Sequence, residues 1–276
     1  MTTLESRPTV AVPLAARRLE LGYGELTVVS GLDLDVVEGT VTAVIGPNGC
    51  GKSTLLRALG RLMRPQGGEV LLDGRSIART PTRDVARRLG VLPQSPVAPE
   101  GLTVADLVSR GRHPHQRWFR QWSRDDEGTV AEALAWTDMS ALADRGVDEL
   151  SGGQRQRAWL SMVLAQGTDL VLLDEPTTYL DLAHQVDVLE LVRRLHRERG
   201  RTVVMVLHDL NLAARYADRL VAMRDGRVVA GGAPAAVLTP ALLADVFDLE
   251  ARVVPDPVTG TPLVVPVGRV PRTPPR

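Results

Sequence analysis

The sequence predicts an α/β fold built on a parallel sheet, with an antiparallel β layer and an inserted helical lobe. Three observations lead there. Val41–Ile45, Leu170–Leu173 and Thr202–Leu207 are short, continuous apolar runs, the pattern of parallel strands buried on both faces. Between the last two, Leu182, Val186, Leu189, Val192 and Leu195 step by three and four and Gly200 closes the run, as in a helix that crosses over between parallel strands. From about Ser95 to Leu164 strand patterns vanish and helical spacing takes over, at Val104, Leu107 and Val108 and again at Val130, Ala133 and Leu134.

Taken in order, residues 1–13 read as a disordered leader, lacking the basic start, apolar run and cleavage site of a secretion signal. Segments near Ala16–Leu21, Glu69–Leu72 and Leu220–Met223 stand beside glycine-containing turns, Asp73-Gly74 and Asp225-Gly226 among them, and predict antiparallel hairpins. Val41–Ile45 ends at Gly46-Pro47-Asn48-Gly49, after which Lys52–Met63 carries apolar residues at helical spacing: strand, glycine loop, helix. The main domain therefore spans 14–250, with the helical lobe at about 95–165. Beyond it Arg252–Val254 and Leu263–Val267 flank the turn-rich Asp256–Gly260, predicting a β extension over 251–270, and 271–276 is read as a disordered tail.

Composition narrows the function classes. With 276 residues, 44% of them hydrophobic, the chain has material for a sizeable core. Basic and acidic residues balance at 33 each, so no global field favours nucleic acid or an anionic surface. Cys50 is the single cysteine, which excludes an intramolecular disulfide and points to a reducing, cytoplasmic compartment. The apolar runs fall far short of the roughly 20 residues that span a bilayer, so work at a membrane requires another subunit to cross it. Of the basic residues, 32 are arginine and one, Lys52, is lysine. A lysine kept at one site suggests chemistry for a compact ammonium, such as contact with phosphate.

That lysine lies in Gly46-Pro47-Asn48-Gly49-Cys50-Gly51-Lys52-Ser53-Thr54, which fits G-x-x-x-x-G-K-[ST] in its required place between buried strand and helix. Glycines let backbone amides wrap phosphates, the helix N-terminus adds a favourable dipole, Lys52 reaches the β and γ phosphates, and Ser53 ligates Mg²⁺. Asp174 and Glu175 emerge from Leu170–Leu173 at the carboxyl edge of a parallel strand, where ligands bind in open α/β sheets. Asp174 is expected to hold Mg²⁺ and Glu175 to polarise the attacking water; a helix-capping pair is the alternative. His208 ends the next buried strand and can reach a γ-phosphate or serve structure alone. Gln94 follows the run Leu89–Leu92, placed for Mg²⁺ or the water. Ser151, Gly152, Gly153 and Gln154 open a helix, giving either a second anion-binding end without a lysine or a plain N-cap.

In this order the P-loop, glutamine, Leu150-Ser151-Gly152-Gly153-Gln154, Asp174-Glu175 and histidine resemble the nucleotide-binding domain of ABC proteins. The resemblance makes Gly46–Thr54 the Walker A loop, Gln94 the Q-loop and Leu150–Gln154 the signature. It makes Asp174 and Glu175 the Walker B aspartate and catalytic glutamate, Leu180-Asp181 the D-loop and His208 the switch histidine. Tyr23 takes the place of the aromatic that stacks on adenine, with packing on the core as its alternative. ATP and Mg²⁺ are the implied cofactors, and a second copy of the chain the implied partner, its Ser151 and glycines closing head to tail over the first copy's P-loop.

A finer resemblance runs from about Arg18 to Arg269. Gly111-Arg112-His113-Pro114-His115-Gln116, Asp174–Asp181 and the tail Asp256–Pro266 look like the ATPases of ferric siderophore import, ferric enterobactin import nearest, with Tyr179 where that group often has Trp. It implies a peripheral subunit at the cytoplasmic face of the cell membrane, bound to integral permease subunits and served indirectly by a siderophore-binding protein, with no nucleic-acid partner. Arg112–Trp118 is a candidate permease contact. Import of vitamin B12 or haem is the alternative, and a soluble ABC ATPase of translation or DNA repair the rival; the latter typically has two such domains or a long coiled coil, which this chain lacks. Alkylation of Cys50 is expected to block ATP binding by steric intrusion.

Overall fold

A computed structural model of the protein describes residues 11–116 and 122–270. Strands β1 (Leu14–Tyr23) and β2 (Leu26–Val36) form a hairpin, and β3 (Val41–Ile45) leads into helix α1 (Lys52–Leu59). Then come β4 (Gly67–Leu72), β5 (Arg75–Ser76), α2 (Thr82–Arg88) and β6 (Leu89–Leu92). The helical lobe holds α3 (Val104–Ser109), α4 (Arg124–Trp136) and α5 (Gly152–Gln166). The chain returns through β7 (Leu170–Leu173), α6 (Leu182–Arg199), β8 (Thr202–Val206) and α7 (Leu210–Tyr216) to the hairpin β9 (Arg219–Arg224) and β10 (Arg227–Gly232). Short helices α8 (Pro234–Val237) and α9 (Pro240–Phe247) precede a last hairpin, β11 (Leu249–Pro255) and β12 (Pro262–Arg269).

The central sheet runs β10-β9-β3-β8-β7-β6, with β9, β3, β8, β7 and β6 mutually parallel. Alternation along each strand divides its apolar side chains between two cores. Val171, Leu173, Val203 and Met205 join the cluster beneath α5, α6 and α7, whereas Leu170, Leu172, Val204 and Val206 join the one shared with α1 and the antiparallel sheet β2-β1-β4-β5. Burial on both faces explains why β3, β7 and β8 read as unbroken apolar runs. Truncating a side chain such as Leu172, fully buried, costs about 2–5 kcal/mol. Asn211 of α7 hydrogen-bonds the terminal hairpin, its Oδ1 accepting from Val264 N (2.7 Å) and its Nδ2 donating to Val264 O (3.3 Å), while Val264 and Ala251 join the core cluster beside α7.

Several expectations are adjusted. The helix expected over Lys52–Met63 stops at Leu59, because Gly60 caps it and Arg61 turns left-handed (φ 60°). The Leu220–Met223 segment does make a hairpin through Asp225-Gly226, yet it also lies parallel to β3 inside the main sheet. Strand β2 was not predicted; its signal is the alternation Leu32, Leu34, Val36 between exposed partners. Residues 11–13 do not fray: Ala11 O accepts from Glu38 N and Pro13 O from Asp73 N. The rest of the expected leader, the 271–276 tail, and Trp118 with its part of the expected permease-contacting loop lie outside the described residues.

Candidate functional site

The loop between β3 and α1 is forced into shape by close approach. Gly46 has φ 155°, and a Cβ there would sit 2.3 Å from Met223 O, so a side chain is excluded; Gly51, at φ 101°, caps α1 without a side-chain hydrogen bond. Lys52 is buried at 5% exposure, and its Nζ donates to Gly46 O and Pro47 O at 2.9 Å each. Cys50 lies inward beside Gly46; burial pushes its thiol above the usual range, against the pull of the Lys52 ammonium. The thiol therefore stays protonated and slow to alkylate.

Facing the loop are the carboxyl ends of β7 and β8. Ser53 Oγ donates to Asp174 Oδ1 (2.8 Å) across 121 residues of sequence. Asp174 is 3% exposed, and burial raises its pKa against the opposing Ser53 hydrogen bond. Its other oxygen, Oδ2, is buried without a hydrogen-bond partner. A hydroxyl and an orphaned carboxylate oxygen side by side are hard donors that fit Mg²⁺. Among the described residues no group of three or more His, Cys, Asp or Glu side chains could hold a metal, so a cation here would complete its shell from phosphate oxygens and water.

The Glu175 carboxylate is held from three sides. Its backbone is left-handed (φ 52°), unusual for a long side chain. Gln94 Nε2 and Thr178 Oγ1 donate to its Oε2 at 2.6 and 2.9 Å, and His208 Nε2 lies 2.8 Å from its Oε1. With the side chain of Glu175 only 9% accessible and that of His208 44%, the carboxylate sits at the base of a cleft of about 360 Å³. Asn48, Gly49, Gly51, Lys52, Ser53, Thr54, Gln94 and His208 line it.

Three lining residues were not assigned to the site from sequence, Val28, Thr178 and Tyr179. Thr178 reaches Glu175 because the left-handed turn folds Glu175–Tyr179 back on itself; Tyr179 is left-handed too (φ 64°) and 93% exposed. Gln94 meets Glu175, whereas the sequence placed it on Mg²⁺ or the water. Tyr23 stands at the end of β1, 51% exposed, its hydroxyl accepting from Arg57 Nη1 (3.3 Å). That exposure removes core packing as its role.

The remaining predicted residues lie elsewhere in the chain, away from the cleft lining. Ser151 caps α5, its hydroxyl accepting from Gln154 N (3.3 Å) while Gln154 Oε1 accepts from Ser151 N (3.1 Å). Gly153 is packed so closely on α6 that a Cβ would meet the His184 ring at 2.5 Å. Asp181 Oδ1 in turn accepts from His184 N (2.9 Å) and lies 2.7 Å from His184 Nδ1, capping α6. Gly153 and Asp181 thus meet at His184 of α6, and none of Ser151, Gly152, Gly153, Gln154 or Asp181 lines the phosphate-loop cleft.

Comparison with known proteins bears on this arrangement. Residues 29–178 match a family model described as ABC transporter. The achromobactin transport ATP-binding protein of Dickeya dadantii is 55% identical over 93% of this chain and 95% of its own. The ferric enterobactin transport ATP-binding protein of Escherichia coli is 53% identical over 93% and 94%. A dimeric bacterial ABC transporter cassette superposes with a TM-score of 0.72 at 27% identity, covering 80% of this chain and 98% of that one.

Proposed function

This chain belongs to the ABC transporter family as an ATP-hydrolysing subunit, and from that premise we propose that it powers uptake of a ferric siderophore through separate permease subunits. The names of its relatives support the substrate class, and the held carboxylate of Glu175 carries the ATPase reading. Among the described residues no helix is long and apolar enough to cross a membrane. The subunit is accordingly proposed to sit on permease subunits at the cytoplasmic face, with a binding protein delivering the chelate from outside.

In the proposed reaction the loop amides of Gly46–Thr54 and the Lys52 ammonium hold the β and γ phosphates, and Tyr23 offers its exposed ring to the adenine. Ser53, Asp174 and the Gln94 carbonyl would hold Mg²⁺, which supplies charge neutralisation on the phosphates. Glu175 orients the attacking water and accepts its proton, with Gln94, Thr178 and His208 fixing the carboxylate that does so. His208 is also placed to contact the γ-phosphate.

Ser151, Gly152, Gly153, Gln154 and Asp181 would then act on the nucleotide of a second copy, arranged head to tail, so that each site needs two chains. Hydrolysis should rise with the square of protein concentration at low concentration. The test of transport is uptake of radiolabelled iron, supplied as a catecholate siderophore, in cells whose own copy carries Glu175→Gln. Uptake lost with normal membrane assembly supports the proposal; undiminished uptake overturns the siderophore assignment and directs the same assay to vitamin B12 or haem.

A further inference from the structure

The antiparallel sheet carries a second cleft, of about 490 Å³, which the ATPase reading does not use. Four arginines line it, Arg17, Arg18, Arg64 and Arg79, against one acidic side chain, Glu69. Arg17 is committed: it pairs with Asp35 (2.6 Å) and donates to Ala16 O (2.9 Å). The side chains of Arg18, Arg64 and Arg79 are exposed and have no hydrogen bond or ion pair among the described residues. In a chain whose charges balance overall, three guanidiniums without an ion pair around one concavity make a local positive field.

The backbone supplies a second, independent observation. Strand β1 bulges at this point, its register slipping against β2 between Ala16 and Leu19 and against β4 between Arg17 and Glu20. Arg18 sits in the bulge with φ 45°, a left-handed conformation that a long side chain seldom adopts. Across from it, a Cβ on Gly68 would lie 2.2 Å from Arg18 O, so that position admits glycine alone. Asp33 Oδ1 accepts from Arg18 N at 3.0 Å and so satisfies the amide that the bulge removes from the ladder. Bulges re-aim side chains, and backbone strain of this kind gathers at ligand sites.

We propose that this cleft binds a phosphate-bearing anion through Arg18, Arg64 and Arg79, with Asp33 positioning Arg18. The guanidinium fork matches phosphate oxygens in pairs. Three such groups outnumber the nearby carboxylates of Glu69 and Asp33, which favours an anion that several guanidiniums can share. The volume falls within the roughly 300–1,000 Å³ of small-molecule sites. A soluble polyphosphate and a phospholipid headgroup present the same chemistry, and the test separates them.

The full chain, its phosphate-loop cleft saturated with a non-hydrolysable ATP analogue, is titrated with pyrophosphate by calorimetry. In parallel it is floated with phosphatidylcholine vesicles with and without phosphatidic acid. Pyrophosphate binding identifies a soluble ligand; binding to acidic vesicles without pyrophosphate binding identifies a headgroup. In either case Arg64→Ser with Arg79→Ser should weaken the interaction by about tenfold or more. Asp33 gives a test of sign. Asp33→Ala should weaken binding although it removes a negative charge, whereas Asp33→Asn, which keeps an acceptor for Arg18 N, should not; if Asp33 acted only through its charge, both would bind more tightly. Failure of both probes to bind, binding that survives the double arginine variant, or tighter binding by Asp33→Ala overturns the proposal.

Discussion

Two helix ends in this molecule, both proposed to meet phosphate, are built in opposite ways. At α1 the cap is Gly51, left-handed and without a side chain, so its first amides depend on water or a ligand, and Lys52, Ser53, Asp174 and Glu175 stand around them. At α5 the cap is Ser151, whose hydroxyl and Gln154 form a closed capping box, with no acid in the first turn and the Arg155 guanidinium turned back onto Asp148 O and Leu150 O. The same backbone dipole is therefore open in one case and partly satisfied in the other. An end with its own lysine and carboxylates can organise a nucleotide within one chain. In the proposed dimer, an end that offers amides and one hydroxyl, already hydrogen-bonded at home, would complete a site that another chain has organised.

Variants at the α1 end should have the largest effects. Glu175→Gln keeps the shape and the hydrogen-bonding neighbours but removes the base, so ATP hydrolysis should fall roughly 10²–10⁴-fold while nucleotide still binds, measured by phosphate release alongside titration with a fluorescent ATP analogue. Near-normal turnover would break the contrast, since the chemistry would then not depend on this end. Lys52→Arg tests why the one lysine of the chain is here. The ammonium is nearly buried between two carbonyls at 2.9 Å, and a planar guanidinium does not fit that socket. ATP affinity should drop by about tenfold or more, the loss of one charge-assisted hydrogen bond.

A smaller effect is expected at α5. Ser151→Ala opens the capping box and should cost about 1 kcal/mol of stability, read as a lower urea midpoint. Diluted to monomer, this variant should bind ATP as the unaltered chain does, yet hydrolyse more slowly at concentrations where dimers form. Weakened ATP binding by the monomer would mean that α5 serves its own chain's site, and the two ends would no longer differ in kind.

The two ends also differ in how they could be read from sequence. The α1 end was legible because its signals are local: an apolar run buried on both faces, glycines forced by close approach, and a lysine in a fixed frame. Asp174 and Glu175 were legible as the end of such a run. Thr178 was not, since its contact with Glu175 exists only because Glu175 takes a left-handed backbone that favours glycine or asparagine, and nothing in the residue type announces it. The place of β9 escaped for a related reason. Asp225-Gly226 signals pairing with the neighbouring β10, while the parallel pairing with β3 joins segments far apart in the chain and leaves no local mark. Strand β2 was hidden by its half-exposed alternation.

The far end of α5 gives the most delicate test of the contrast. There Arg112 Nη1 donates to Ala165 O (2.9 Å) and its Nε to Asp126 Oδ1 (2.8 Å), tying α5 to α4 through a pair with side chains only 13% and 10% accessible. Burial alone would raise the Asp126 carboxyl, but hydrogen bonds from Arg112 and Ser123 outweigh it and hold the group below the usual carboxylate range. A carboxyl whose folded pKa is depressed stabilises the fold above its unfolded value, near 4 for Asp, and loses that contribution as pH falls through the lower folded value. The urea midpoint of the unaltered chain should therefore exceed that of Asp126→Asn at pH 7 and converge toward it as pH drops below about 4. Because Asp126 touches neither the phosphate loop nor Glu175, ATP binding at neutral pH should change little in the same variant. Convergence without a change in ATP affinity would place the acid-labile fastening of the helical lobe at α5 and leave the α1 end independent of it; a gap that stays constant down to pH 3 would show that the pair contributes packing rather than charge.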